Sequence, residues 1–198
     1  RNQLQLTHLI EDLLSFARLD AGKLVVRHEQ VRLAPVLEGV TAALAIDLDS
    51  KGIIYRAEIT DPTLVALGDA DRLHQVLVNL VTNALKATSP GDRIDMTCVG
   101  VGDGVVIRVR DTGTGIPSEK LEAIFTPFVQ VGRALNQPRE GAGLGLAISR
   151  GLVEAMGGTL TAESILGEES TFTVRLGTTS AAPIDSRAGL IRSAELGA

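Results

Sequence analysis

Asn79, Asn83 and Lys86, in "NLVTNALK", are spaced i, i+4 and i+7, so a helix would carry all three in one narrow stripe. Arg72 and Gln75 extend it. Asparagine is a poor choice inside a helix, because its amide competes with the backbone for hydrogen bonds. Two of them interrupt a Val/Leu-rich run here. One reading is a pair of buried amides satisfied by neighbouring backbone. The other is chemical: neutral carboxamide oxygens suit Mg²⁺ and a lysine suits phosphate, together a partner for a metal-bridged polyphosphate.

Two further stretches raise the same question. "DTGTGIP", from Asp111 to Pro117, follows a strand-like run. It could be only a turn, with Asp starting it and Gly113 and Gly115 permitting positive φ. It could also read a base, the carboxylate accepting from an exocyclic amine while glycine lets a flat ring near the backbone. "EGAGLGLAIS", Glu140 to Ser149, packs Gly141, Gly143 and Gly145 ahead of an apolar helical pattern. Such density suggests a backbone brought close to phosphate at a helix start. The dinucleotide fingerprint G-x-G-x-x-G fits poorly, since Leu146 takes the third glycine's slot and the preceding "ALNQPRE" is no strand. A phosphate loop ending in G-K-[ST] is absent from the sequence.

These groups need elements to hold them. The pattern predicts a helix from about Asp69 to Thr88, strands over Arg93–Val99 and Val105–Arg110, a short helix in "SEKLEAIF", and a helix from Leu144 stopped by Gly157-Gly158. "TLTAES" and "TFTVRL" read as two last strands, Pro35 to about Ser50 as a further helix, and "GIIYRAEI" as a strand. Helices with a mostly antiparallel sheet and few βαβ alternations imply an α/β fold, a two-layer sandwich. Ahead of it, Leu6, Leu9, Ile10, Leu13 and Ala17 share one helical face that needs a partner. Residues 178–198 are small and polar at first, as in a linker or tail.

The 198 residues are 44% hydrophobic and carry 19 basic against 24 acidic side chains, net −5, with no basic block. Nucleic acid is thereby disfavoured as a partner. No apolar run has the length of a membrane span, so this segment is expected to make no direct membrane contact. The lone Cys98 reads as buried and inert. The chain starts at Arg1 inside a helical pattern and is expected to be a piece of something longer.

Taken in order and spacing, "NLVTNALK", "DTGTGIP", "IFTPF" and "GAGLGL" resemble the N, G1, F and G2 boxes of the catalytic and ATP-binding domain of sensor histidine kinases. The likeness spans about Arg32 to Leu176, and "LTHLIEDLLSFARLDAGKL" is similar to the second helix of their dimerisation and histidine-phosphotransfer hairpin. The resemblance implies a Bergerat-type ATP-binding fold over residues 25–177, with residues 1–24 a partial hairpin. It implies ATP and Mg²⁺ as cofactors. Asp111 would accept from the adenine amine, with Gly113, Gly115 and Ile116 shaping the base pocket. Asn83 and Asn79 would hold the metal and Lys86 the phosphates. Gly141, Gly143, Leu144 and Gly145 would form the phosphate-facing end of a lid anchored by Phe125 and Phe128, within which Arg133 and Arg139 could reach the γ-phosphate or be solvated loop charges.

The wider superfamily, with DNA gyrase, a heat-shock chaperone and mismatch-repair ATPases, places a glutamate general base one turn before the second asparagine. Here Asn79 stands there, and a carboxamide takes no proton at neutral pH. The resemblance thus implies a site that holds ATP for transfer and hydrolyses it poorly. Of the histidines, His8 is followed by Leu9 with no proline near, and His28 and His74 lie elsewhere, so the phosphoacceptor is expected upstream of Arg1. Homodimerisation through the helical hairpin, a response-regulator receiver domain as partner, and a cytoplasmic setting, within a soluble protein or a membrane-bound sensor, complete what the resemblance implies.

Overall fold

Alternation of apolar residues builds the sheet, and helical stripes of the same residues cover one of its faces. The computed structural model describes residues 10, 13–19, 21–129 and 143–178. The main sheet holds five strands: β2 (Ile54–Ile59), β4 (Arg93–Val101), β5 (Gly104–Asp111), β6 (Thr159–Ile165) and β7 (Glu169–Gly177), in the order β2-β4-β5-β7-β6. All neighbours are antiparallel except β2 and β4, which run parallel. β1 (Glu29–Arg32) and β3 (Val65–Gly68) form a separate two-stranded ribbon.

Three helices complete the second layer: α1 (Leu33–Ser50), α2 (Ala70–Ala87) and α3 (Gly145–Ala155). α2 buries Leu73, Val76, Leu77, Leu80, Val81, Ala84 and Leu85, an unbroken i, i+3, i+4 stripe that packs on β4 and β5. α3 adds Ile148, Leu152 and Val153 and lies along α2. From the sheet come Ile94, Met96, Cys98, Val105, Ile107, Val109, Phe172 and Val174. Cys98 is fully buried, and that burial pushes its thiol up to about 11, so it stays protonated and inert.

The start of α2 is fixed by Asp69, whose carboxylate accepts from the N–H groups of Asp71 and Arg72 at 3.1 and 3.3 Å. The Arg27 N–H adds a third bond at 3.1 Å, tying the segment before β1 to this helix end. Burial alone would raise the Asp69 pKa, but these bonds and the Arg27 guanidinium outweigh it and hold it below its ordinary value.

The sandwich expected from the sequence is present, with two differences. β1 and β3 are four residues each, too short to show a period of two. "SEKLEAIF" forms two 3₁₀ turns, Ser118–Lys120 and Ala123–Phe125, and no continuous helix. Pro117 leads directly into the first turn, and only Ile124 and Phe125 are buried, so no helical stripe exists to extend it. Residues 13–19 are helical. Phe16 sets its ring 6.0 Å from that of Phe128, while Ile10, Leu13 and Leu14 of the same stretch are exposed. Leu6 and Leu9 lie outside the described residues.

Candidate functional site

The stripe Asn79, Asn83, Lys86 falls on α2, flanking α3 and running to the helix's C-terminal end. The Asn79 amide donates to Ser149 Oγ of α3 at 2.9 Å. Its oxygen stands so close to Gly145 that any Cβ there would collide with it. Asn79 therefore joins the two helices, whatever else it does. Asn83 is half-buried one turn on, and Lys86 is exposed in the last turn. Arg72 donates to Gln75 at 3.1 Å, so the upstream part of the stripe pairs internally.

β5 delivers Asp111 to the same end of the molecule. Its side chain is almost wholly buried, and among the described residues the Gly113 N–H, at 3.0 Å, is the hydrogen-bond donor to its carboxylate. Burial dominates and pushes its pKa up to about 6, while the Gly113 bond pulls the other way and Asp92 and Glu169 add a smaller upward push. A buried carboxylate at a strand end, its charge disfavoured by burial, gains from an added donor.

The loop after Asp111 is held by its backbone. Thr112 N–H donates to Arg93 O, Thr114 N–H to Ala87 O at the end of α2, and Thr114 O accepts from Gly167 N–H of the β6–β7 turn. Ile116 N–H donates to Ser164 Oγ. The glycines serve this packing. A Cβ on Gly113 would run into Ala87 O, and one on Gly115, which has φ +65°, into Ile165 O. Their bareness lets the loop press against its supports, beyond any room left for a ring.

At the other side, Phe128 N–H donates to Gly143 O at 2.9 Å, joining residues on either side of the 130–142 stretch. Gly143 needs its glycine twice, having φ +70° and Phe128 C only 3.1 Å from where a Cβ would sit. Phe128 itself lies at φ +66°, rare for a bulky residue, with an exposed ring. Phe125 is instead a core residue, edge-on to Phe172 at 6.5 Å with the Arg150 guanidinium 4.9 Å over its ring. Leu144 is buried ahead of α3. Arg133, Arg139 and Gly141 lie outside the described residues.

His74 packs against Gly39 of α1, its Cδ2 3.3 Å from where a Cβ there would sit, and so is structural. Ser149, Ser164 and Ser170, which hold Asn79 and the loop after Asp111, are not singled out by the sequence pattern. Ser149 carries a signal in hindsight, being a polar residue in the buried stripe of α3. The other two are visible only once the strands are paired. A cavity of about 250 Å³ lies at the far end of β5, lined by Val101, Gly104, Gly158, Arg175 and others, and belongs to a different part of the molecule.

A carboxylate at a strand end ahead of a backbone-pinned loop, an amide–lysine stripe and a glycine-led helix at one end of an α/β sandwich point to a nucleotide-binding domain of the ATPase class. Residues 68–180 match the family described as histidine kinase-, DNA gyrase B-, and HSP90-like ATPase, and the chain belongs to that family. It is 34% identical over 172 residues to the sensor protein SrrB of Staphylococcus aureus, covering 87% of this chain and 29% of that protein. The chain thus spans about a third of the length of the curated relatives it matches. The structure resembles full-length ShkA in complex with AMPPNP, with TM-score 0.77, 33% identity, 90% of this chain and 37% of that one. It also resembles the histidine kinase ThkA in complex with the response regulator protein TrrA, with TM-score 0.72, 25% identity, 90% of this chain and 49% of that one. Among the described residues, no helix is long and apolar enough to cross a membrane.

Proposed function

We propose that this chain is the ATP-binding catalytic core of a sensor histidine kinase, and that the whole protein transfers the γ-phosphoryl group of ATP to a histidine for relay to a response regulator. The observation that carries it is Asp111, a buried carboxylate at the end of β5 whose hydrogen-bond donor among the described residues is the Gly113 N–H, with the loop after it bonded to Ala87, the last residue of α2. Asp111 accepts from the adenine 6-amino group, between Gly113 and Ile116. Lys86 offsets phosphate charge. Gly143, Leu144 and Gly145 lead the N-terminus of α3 to the phosphates, where unpaired N–H groups favour an anion. Gly141, Arg133 and Arg139 take their roles in this reading from the resemblance alone, as does Phe125 in anchoring the lid.

Mg²⁺ fits this donor set. Among the described residues no cluster of three His, Cys, Asp or Glu could hold a metal alone. Carboxamide oxygens with phosphate oxygens suit a hard cation that keeps several waters. Asn79 donates to Ser149 through its Nδ2, which fixes the amide's orientation and leaves its Oδ1 as the ligand atom beside that of Asn83. Bound there, Mg²⁺ would neutralise charge on the phosphates.

Asn79 also sets the reaction type. Lacking a base at that place, the site leaves water unactivated and keeps ATP for an imidazole nitrogen, whose attack forms a P–N bond as the bond to ADP breaks. Exposed Ile10, Leu13 and Leu14 support pairing of two chains through this helix, and the likeness to ThkA with its response regulator supports a receiver domain as partner. The setting is cytoplasmic.

The test is labelled transfer. The chain incubated with γ-labelled ATP and Mg²⁺ should not label itself, but should label an added hairpin of the parent protein that carries the histidine, in an acid-labile linkage. Label on His8, His28 or His74 would overturn the upstream placement of the acceptor. No label on either partner would overturn the kinase reading.

A further inference from the structure

The supports of the Asp111 loop converge on one hydroxyl. Ser164, near the end of β6, accepts from the Ile116 N–H at 2.8 Å and donates to the Glu169 carbonyl at 2.5 Å. Ser170 Oγ lies 3.1 Å away. Since the Ser164 proton is committed to Glu169, Ser170 is the donor between the two, and the Ser164 hydroxyl has one donated and two accepted bonds, its full capacity.

The strand register shows what this hydroxyl connects. Ser164 is the cross-strand partner of Ser170, and Ser170 that of Asp111. Directly opposed residues share a face, so Asp111, Ser170 and Ser164 form one row across β5, β7 and β6. Ser170 is buried like Asp111. The row thus begins at the carboxylate and ends at the atom that holds the loop's far side. Thr114 is fixed to α2 through Ala87, and Ile116 is fixed through Ser164, so the distance between the carboxylate and the Gly113–Ile116 backbone is set from both ends.

We propose that Ser164 is a positioning residue for base recognition, fixing the Gly113–Ile116 backbone relative to Asp111 so that a purine carrying a 6-amino group is preferred. This rests on the adenine reading of Asp111. Ser164 touches no substrate. It acts through the Ile116 N–H, and its loss should loosen the edge of the base pocket while leaving the phosphate-facing elements of α2 and α3 in place.

The experiment is calorimetric titration of the chain with Mg²⁺-ATP and with Mg²⁺-inosine triphosphate, whose six-position oxygen has no proton to give Asp111. Ser164→Ala should weaken ATP binding by about tenfold and inosine triphosphate binding by less than about twofold, the scale of one buried hydrogen bond. Ser164→Thr, which keeps the hydroxyl, should restore the preference. Ser164→Cys, close in size but a poor acceptor, should behave like alanine and replaces it should alanine fail to fold. Loss of both nucleotides in equal measure, or no loss of ATP, would overturn the proposal. Asp111→Asn, run in parallel, separates the two levels: if it leaves ATP binding intact, the adenine reading itself fails. If Asp111→Asn abolishes binding while Ser164→Ala does nothing, only the role of Ser164 fails.

Discussion

Asp111 shows at the scale of a residue how the proposed site costs stability. Its pKa in the folded chain is pushed up to about 6, from an ordinary 3.8, first by burial. Between those values the folded chain holds a proton that the unfolded chain has released. The group's contribution to stability is therefore present in full below pH about 4 and is lost as pH rises through about 6. At neutral pH the domain keeps an ionised carboxylate that its own fold does not favour. Asp111→Asn should stabilise the nucleotide-free chain by roughly 1–2 kcal/mol at pH 7.5 and by little at pH 4. Urea unfolding at the two pH values checks this, and equal effects at both would mean that the carboxylate is better satisfied than its surroundings indicate. The place of Asp111 was legible in the sequence because a carboxylate at a strand end before two glycines is a local pattern. Ser164 was not, because nothing within a few residues of it points to Ile116, 48 positions earlier.

The unit that matters among elements is the α2–α3 pair. Gly145 and Ser149 of α3 grip one amide, Asn79 of α2. The sequence pattern put Asn79 on the correct stripe and Gly145 at the correct helix start, yet the contact between them depends on how two helices cross, which periodicity does not encode. Gly145→Ala gains helix propensity but forces the Asn79 amide away from Ser149. We expect a net loss of roughly 1–2 kcal/mol in urea unfolding, since overpacking and a broken buried bond outweigh the backbone gain. Ser149→Ala breaks the same bond from the other side. Because both changes act on one amide, the double variant should lose less than the sum of the two, and strict additivity would refute a shared grip. The 3₁₀ turns of Ser118–Lys120 and Ala123–Phe125 teach the complementary lesson: eight residues with some helical composition do not make a helix when only two adjacent ones are buried.

Across the whole molecule, the division of labour follows from the layers. β5 ends at Asp111, α2 carries the two amides and the lysine, and two small clamps, Phe128 with Gly143 and Ile116 with Ser164, hold the segments between them. The sandwich itself was legible because its core stripes are long: α2 alone carries seven buried apolar residues at regular spacing. The parallel β2–β4 pair and the β1–β3 ribbon were not, since strand partners far apart in sequence leave no local signature. The central proposal is that this site binds Mg²⁺-ATP through Asp111 and keeps it from water for want of a base at Asn79. Calorimetric titration of the chain with ATP, with and without Mg²⁺, alongside Asp111→Asn and with phosphate release followed in the same samples, tests it most directly. Mg²⁺-strengthened binding that is lost in the variant, with negligible release of phosphate, is the expected result. Undiminished binding by Asp111→Asn, or steady turnover to ADP and phosphate, would contradict it.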